Sequence, residues 1–101
     1  MRTVTSLKGL QTLKGKVLVD CSAEWCGPCK MMPPILKKVK EALGDRVKIL
    51  KIDVDKNQAI AQKLQIKNVP TIALYKNGNQ LFRQSGVLQA DQLIQILKQH
   101  I

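Results

Sequence analysis

Apolar residues recur along this chain at two spacings, and the alternation between the two lays out a succession of strands and helices. Val17-Leu18-Val19-Asp20-Cys21 is a short β-branched, apolar run of the kind a buried strand shows. The turn-rich step Trp25-Cys26-Gly27-Pro28-Cys29-Lys30 follows. From there Met32, Ile35 or Leu36, Val39 and Ala42 or Leu43 return every three to four residues, the stripe of an amphipathic helix. Pro33 and Pro34 lie in its first turns and start or kink it, and Gly44 is placed to end it. Arg46 to Asp53 alternates through Val47, Ile49 and Ile52 as a second buried strand. Asp55 is positioned to cap a short helix running to about Leu64, with Ile60 and Leu64 on one face. Thr71–Lys76 and Asn79–Arg83 flank Asn77-Gly78, the signature of a tight hairpin. A last amphipathic helix carries Leu88, Leu93, Ile94, Ile96, Leu97 and Ile101. The segment before Val17 has room for at most a brief strand and a brief helix. Strands joined through helices pair in parallel, and the hairpin adds an antiparallel pair at the edge. The expected fold is α/β, with a central mixed β-sheet.

Length and composition narrow the class. The 101 residues are expected to form one domain, large enough to bury a core without a scaffold of metals or disulfides. The six Gly and four Pro are spread along the chain, which excludes a disordered or collagenous reading. No apolar run approaches the roughly 18 residues of a membrane helix, so no membrane partner is expected. Met1-Arg2-Thr3-Val4-Thr5-Ser6-Leu7-Lys8 carries no apolar stretch of signal-peptide length, which makes a reducing, cytoplasmic setting the expectation.

Seventeen Lys and Arg against seven Asp and Glu give a net charge of +10, a field that attracts acidic partners and weakens with salt. Nucleic acid is the obvious candidate, but its other marks are missing. Fourteen of the cations are Lys, scattered from Lys8 to Lys98, and Trp25, Tyr75 and Phe82 are too few for a base-stacking platform. No nucleic-acid partner is expected, and the basic surface points instead to acidic client proteins.

The three cysteines carry the chemistry. Cys26 and Cys29 sit between a strand and a helix, where unpaired backbone N–H groups and the helix dipole favour thiolate over thiol. Two intervening residues allow a disulfide across the first turn. Cys26 is expected to be exposed and nucleophilic, and Cys29 to be more buried and to attack second. Pro28 stiffens the spacing. A competing reading is a metal module: Cys21, Cys26 and Cys29 have the C-x4-C-x2-C spacing of three iron–sulfur ligands, but no fourth cysteine exists, and His100 is the only other soft ligand. No metal or cofactor is expected, since flavin and nicotinamide fingerprints are also missing.

Trp25-Cys26-Gly27-Pro28-Cys29-Lys30 resembles the active-site motif of the thioredoxin family, and the order of elements from about Val17 to Leu97 is similar to the family's fold. Asp20 ahead of the motif, Val69-Pro70-Thr71 before the hairpin and Gly86 after it stand at compatible positions. The resemblance implies a thioredoxin-like fold with helices on both sheet faces. It also implies a protein-disulfide reductase in which Cys26 attacks and Cys29 resolves, with Asp20 assisting deprotonation of Cys29 through water and Lys51 as partner of that acid. An acid buried in such a strand should have a raised pKa, which suits proton transfer near neutral pH. Val69-Pro70 resembles the family's cis-proline, which lets the Val69 backbone pair with an extended substrate, beside Trp25, Gly27, Pro28 and Gly86. An NADPH-dependent thioredoxin reductase is implied as electron donor. Ribonucleotide reductase, methionine sulfoxide reductase and peroxiredoxins are implied as clients, with the chain acting as a monomer. A thiol oxidase or isomerase of the same fold is the alternative. Three departures stand out: Cys21-Ser22 replaces the usual Phe-Trp, Pro33 precedes Pro34 where the family kink needs only the second proline, and Gln89 replaces the Ser or Thr cap of the last helix. Cys21 is expected to be a small core residue, or a regulatory thiol if it can be reached and ionised.

Overall fold

The computed structural model describes residues 2–3 and 15–101. Five strands form one sheet: β1 (Arg2–Thr3), β2 (Lys16–Ser22), β3 (Lys48–Asp53), β4 (Thr71–Lys76) and β5 (Asn79–Ser85). Their order across the sheet is β1-β3-β2-β4-β5. The first three run parallel, and β4 and β5 are antiparallel additions. Among the described residues three α-helices accompany it: α1 (Met32–Leu43), α2 (Gln58–Lys63) and α3 (Ala90–Lys98). The brief helix expected before Val17 falls outside the described residues.

β2 is central, and both of its faces are covered, which explains its unbroken apolar run. Because side chains alternate across a strand, Leu18 faces one layer and Val17, Val19 and Cys21 face the other. On the first side Leu18, Ile72 and Leu74 pack against Met32, Leu36 and Val39 of α1 and Leu93 and Leu97 of α3. On the second side Val17, Val19, Cys21, Leu50 and Ile52 pack against Ile60 of α2.

Three boundaries differ from the expectation. β3 begins at Lys48, because Gly44–Arg46 forms a 3-10 turn after α1. Asp55 does not cap α2. The Asp53 Oδ1 accepts the N–H groups of Asp55 and Lys56, and this turn moves the helix start on to Asn57 and Gln58. Leu88 and Ile101 lie outside α3, although both pack against its core layer. Gly44 ends α1 with φ of 57°, and Asn77-Gly78 turns the hairpin with φ of 50° and 87°, the left-handed pair a tight turn between twisted strands requires.

Candidate active site

At the end of β2 the chain leaves the sheet through Ala23, Glu24 and Trp25, and the Cys26 N–H returns to the Ala23 carbonyl at 3.2 Å. Gly27 then opens a 3-10 turn, Pro28–Met31, that runs directly into α1. Pro28 takes the first helical position, where a missing N–H leaves nothing unsatisfied. Cys26 and Cys29 are joined in a disulfide across this turn, with Cα atoms 5.4 Å apart. The Cys29 N–H donates to Cys26 Sγ at 3.2 Å. A donor so placed favours negative charge on that sulfur.

Cys26 is not exposed, contrary to expectation: it is 3% accessible and Cys29 6%. With Ala23 they form a small apolar cluster on which Val54 and Val69 pack. In the disulfide state the Cys26 sulfur is turned inward to its partner. The surface around it is carried by Trp25, 72% exposed, and by Gly27 and Pro28.

Asp20 is 1% accessible, and its Oδ1 has no hydrogen-bond partner among the described residues. Burial pushes its pKa up to about 6, while the positive charge of Lys51 pulls the other way. Lys51 is the register partner of Asp20 across β2 and β3. Lys51 also lines a groove of about 740 Å³ together with Cys29, Ser22, Ala23 and Lys30, so the second cysteine and the lysine share one open groove.

Val69-Pro70 is a cis peptide bond, and Val69 packs on the cysteine cluster. The Pro70 carbonyl accepts the Gly86 N–H at 2.9 Å, which joins this turn to the end of β5. Gly86 has φ of 89°, a conformation that favours glycine. Thus Trp25, Gly27, Pro28, Cys26, Cys29 and Val69 meet at one end of the sheet, with Pro70 and Gly86 bonded behind them.

A family model for thioredoxin matches residues 7–99. The chain belongs to the thioredoxin family. A thioredoxin-like protein of Synechocystis sp. is 51% identical over 82 residues, 81% of this chain and 78% of that protein. The thioredoxin of Bacillus subtilis is 38% identical over 91 residues, 90% of this chain and 88% of its own length. Chloroplastic thioredoxin Y of Oryza sativa subsp. japonica is 48% identical over 86 residues, and this chain spans about half of that longer protein, 51%. The X-ray structure of Fasciola hepatica thioredoxin superposes with a TM-score of 0.90 at 30% identity, covering 100% of both chains. Family and motif together support dithiol–disulfide exchange at Cys26 and Cys29, the chemistry of a thiol–disulfide oxidoreductase.

Within this thioredoxin fold the third cysteine stands apart. Cys21 is buried on the α2 side of the sheet, and the disulfide lies in a separate cluster. Its thiol is pushed up to about 12, by burial first and then by the charge of Asp20, with Arg83 opposing. Neither a shared metal site with Cys26 and Cys29 nor a reachable regulatory thiol is built here. Among the described residues no group of three His, Cys, Asp or Glu side chains could hold a metal ion.

Two contacts at this site escaped the sequence reading. The Trp25 Nε1–H donates to Asp55 Oδ2 at 2.8 Å, and Lys56 Nζ pairs with Glu24 Oε1 at 3.0 Å. Both tie the active-site loop to the turn after β3. The one available signal was the surplus of acids in Asp53-Val54-Asp55, more than a single helix cap needs.

Proposed function

We propose that this chain is a single-domain protein-disulfide reductase. The observation that carries the reading is the Cys29 N–H directed at Cys26 Sγ, which supports Cys26 as the attacking sulfur. In the reduced protein, Cys26 thiolate attacks one sulfur of a client disulfide and releases the other as a thiolate. The Cys29 thiolate then attacks Cys26 Sγ in the mixed disulfide, forming the Cys26–Cys29 bond and releasing the second client thiolate. Two electrons pass to the client, and the two protons lost by the cysteines end on its sulfurs.

Asp20 is the base for Cys29. A carboxyl with a pKa of about 6 is mostly ionised at neutral pH yet basic enough to accept a proton, and water in the adjoining groove relays it. Lys51 positions and tunes this acid. Trp25, Gly27 and Pro28 make the client contact, with the Val69 backbone beside Pro70 and Gly86 as the edge on which an extended client segment pairs. Electrons come from an NADPH-dependent thioredoxin reductase. Clients are of the ribonucleotide reductase, methionine sulfoxide reductase and peroxiredoxin types, and the protein works as a monomer. Among the described residues no helix is long and apolar enough to cross a membrane. A reducing compartment suits the chemistry, the cytoplasm by the sequence reading, and the chloroplast named for the Oryza relative is the other candidate.

Two measurements test this. Insulin reduction driven by dithiothreitol should require both cysteines, and Cys29→Ser should accumulate a mixed disulfide at Cys26 that Cys26→Ser cannot form. A redox titration followed by Trp25 fluorescence should place the couple below the glutathione pool. A potential at or above that pool would shift the function to oxidase or isomerase.

A further inference from the structure

The end of the sheet away from the disulfide gathers cations. Lys16 opens β2, Lys48 opens β3, Lys76 closes β4, and the 3-10 turn after α1 adds Arg46. These four side chains line one shallow pocket of about 350 Å³ with Gly15 and Asp45. Asp45 is fully solvated and already faces a further cation, Lys40 Nζ, at 3.9 Å. Among the described residues, four cations thus share this pocket with one carboxylate, which a fifth cation already pairs.

The placement has a cost. Lys16 and Lys76 are register partners on antiparallel strands, so their side chains leave one face of the sheet side by side. Like charges directly opposite each other destabilise a sheet, and among the described residues neither lysine meets a carboxylate. Arg46 is held in place as well: its Nε donates to the Leu43 carbonyl and its Nη2 to the Ala42 carbonyl, fixing the guanidinium at the α1 C-terminus. Lys40 is likewise anchored on the Gly44 and Val47 carbonyls. Two of these cations are thus held in place, and an external anion would relieve the crowding of the rest.

We propose that this basic pole docks an acidic protein segment, a cluster of Asp and Glu side chains on a partner. Protein carboxylates fit better than a nucleic acid. The cations gather at one pocket at a single end of the sheet, and no aromatic side chain lines it for bases to stack on. The choice of a protein also rests on the reading of the chain as a protein-disulfide reductase. The seven residues of β2 separate the pole from the active-site loop, about 20 Å at roughly 3.3 Å per residue. A partner held at the pole therefore leaves Trp25, Gly27 and Pro28 uncovered. Docking there raises the local concentration of a client without occupying the reactive face.

The test uses a short fluorescein-labelled poly-L-glutamate and a labelled DNA duplex as probes, with binding followed by anisotropy at low and near-physiological salt. The triple variant Lys16→Gln/Lys48→Gln/Lys76→Gln is compared with Lys38→Gln/Lys63→Gln/Lys98→Gln, which removes the same charge from exposed positions elsewhere. The pole variant should weaken poly-glutamate binding about tenfold or more and the control less than about threefold. Equal loss in both variants would mean a diffuse field and overturn the site. Tighter, pole-dependent binding of the duplex would reassign the surface to nucleic acid. The pole variant should melt at or above the wild-type temperature, since the opposed lysines are gone, which confirms that it folds. Insulin reduction, run in parallel, should be unchanged in both variants. Failure of the wild type in that assay would sink the reductase reading, whereas the anisotropy comparison judges the pole itself.

Discussion

Asp20 and Lys51 face each other across the two parallel strands that lead to the disulfide, one buried to 1% and the other half-buried beside the groove that reaches Cys29. The lysine is the nearest relief for a carboxylate whose burial is otherwise uncompensated, and that relief is incomplete. The acid consequently has a folded-state pKa of about 6 against 3.8 in its ordinary state.

The sign of the resulting pH dependence follows. Between these values the folded protein holds a proton that the unfolded chain has lost, so stability falls as pH rises from about 4 to 6 and then levels off. A shift of this size corresponds to about 3 kcal/mol. Asp20→Asn should flatten this slope and raise stability at pH 7 by up to about 3 kcal/mol, read by urea unfolding at several pH values. The same change should slow resolution of the mixed disulfide about tenfold or more, since a positioned base is lost. A variant with wild-type pH dependence of stability would show that Asp20 ionises as it does in the unfolded chain.

Cys21 should be silent to reagents. Its thiol is fully buried and pushed up to about 12, so almost no thiolate exists near neutral pH. Iodoacetamide added to the reduced native protein at pH 8 should leave Cys21 unmodified until denaturant is added, as mass spectrometry would read. Cys21→Ser should cost about 1–3 kcal/mol, because a hydroxyl replaces a weakly polar group in an apolar layer. Three thiols modified at one rate would contradict the burial.

Arg83 holds the segment after α2 against the hairpin. It donates from Nη1 to the Gln65 carbonyl at 3.0 Å, from Nη2 to the Leu64 carbonyl and from Nε to Gln80 Oε1 at 2.9 Å. Gln65 is in the left-handed region with φ of 56°, so these bonds also restrain a strained backbone. Arg83→Gln should destabilise the protein by about 2 kcal/mol. Amide exchange should rise most at Leu64–Lys67, and uniform loss of protection across the sheet would show instead that Arg83 supports the whole fold.

The elements were legible where pattern and hydrogen bonding coincide. The run through β2, the stripe of α1 and the Asn77-Gly78 turn each follow from local spacing. Leu88 and Ile101 show the limit: an apolar residue at helical spacing marks what packs on the core, and these two do so from outside α3. At the site, the disulfide followed from the spacing of Cys26 and Cys29, the burial of Asp20 from its apolar strand, and the cis bond before Pro70 from the family resemblance. The burial of Cys26 was not legible, since it depends on Val54 and Val69, which come from two distant turns. Asp55 was misassigned for a similar reason. Its partner Trp25 lies 30 residues away, and the capping role expected of it is blocked by the Asp53 side chain.

Asp20 and Cys21 are adjacent in sequence and lie on opposite faces of β2. A slip of β2 by one residue would exchange them, placing a thiol beside the disulfide's helix and an acid in the apolar layer under α2. The first error would supply a rival for disulfide scrambling, and the second would bury a charge with no lysine opposite. A one-residue slip is thus penalised at two neighbouring positions, so this acid and thiol between them pin the register of the central strand.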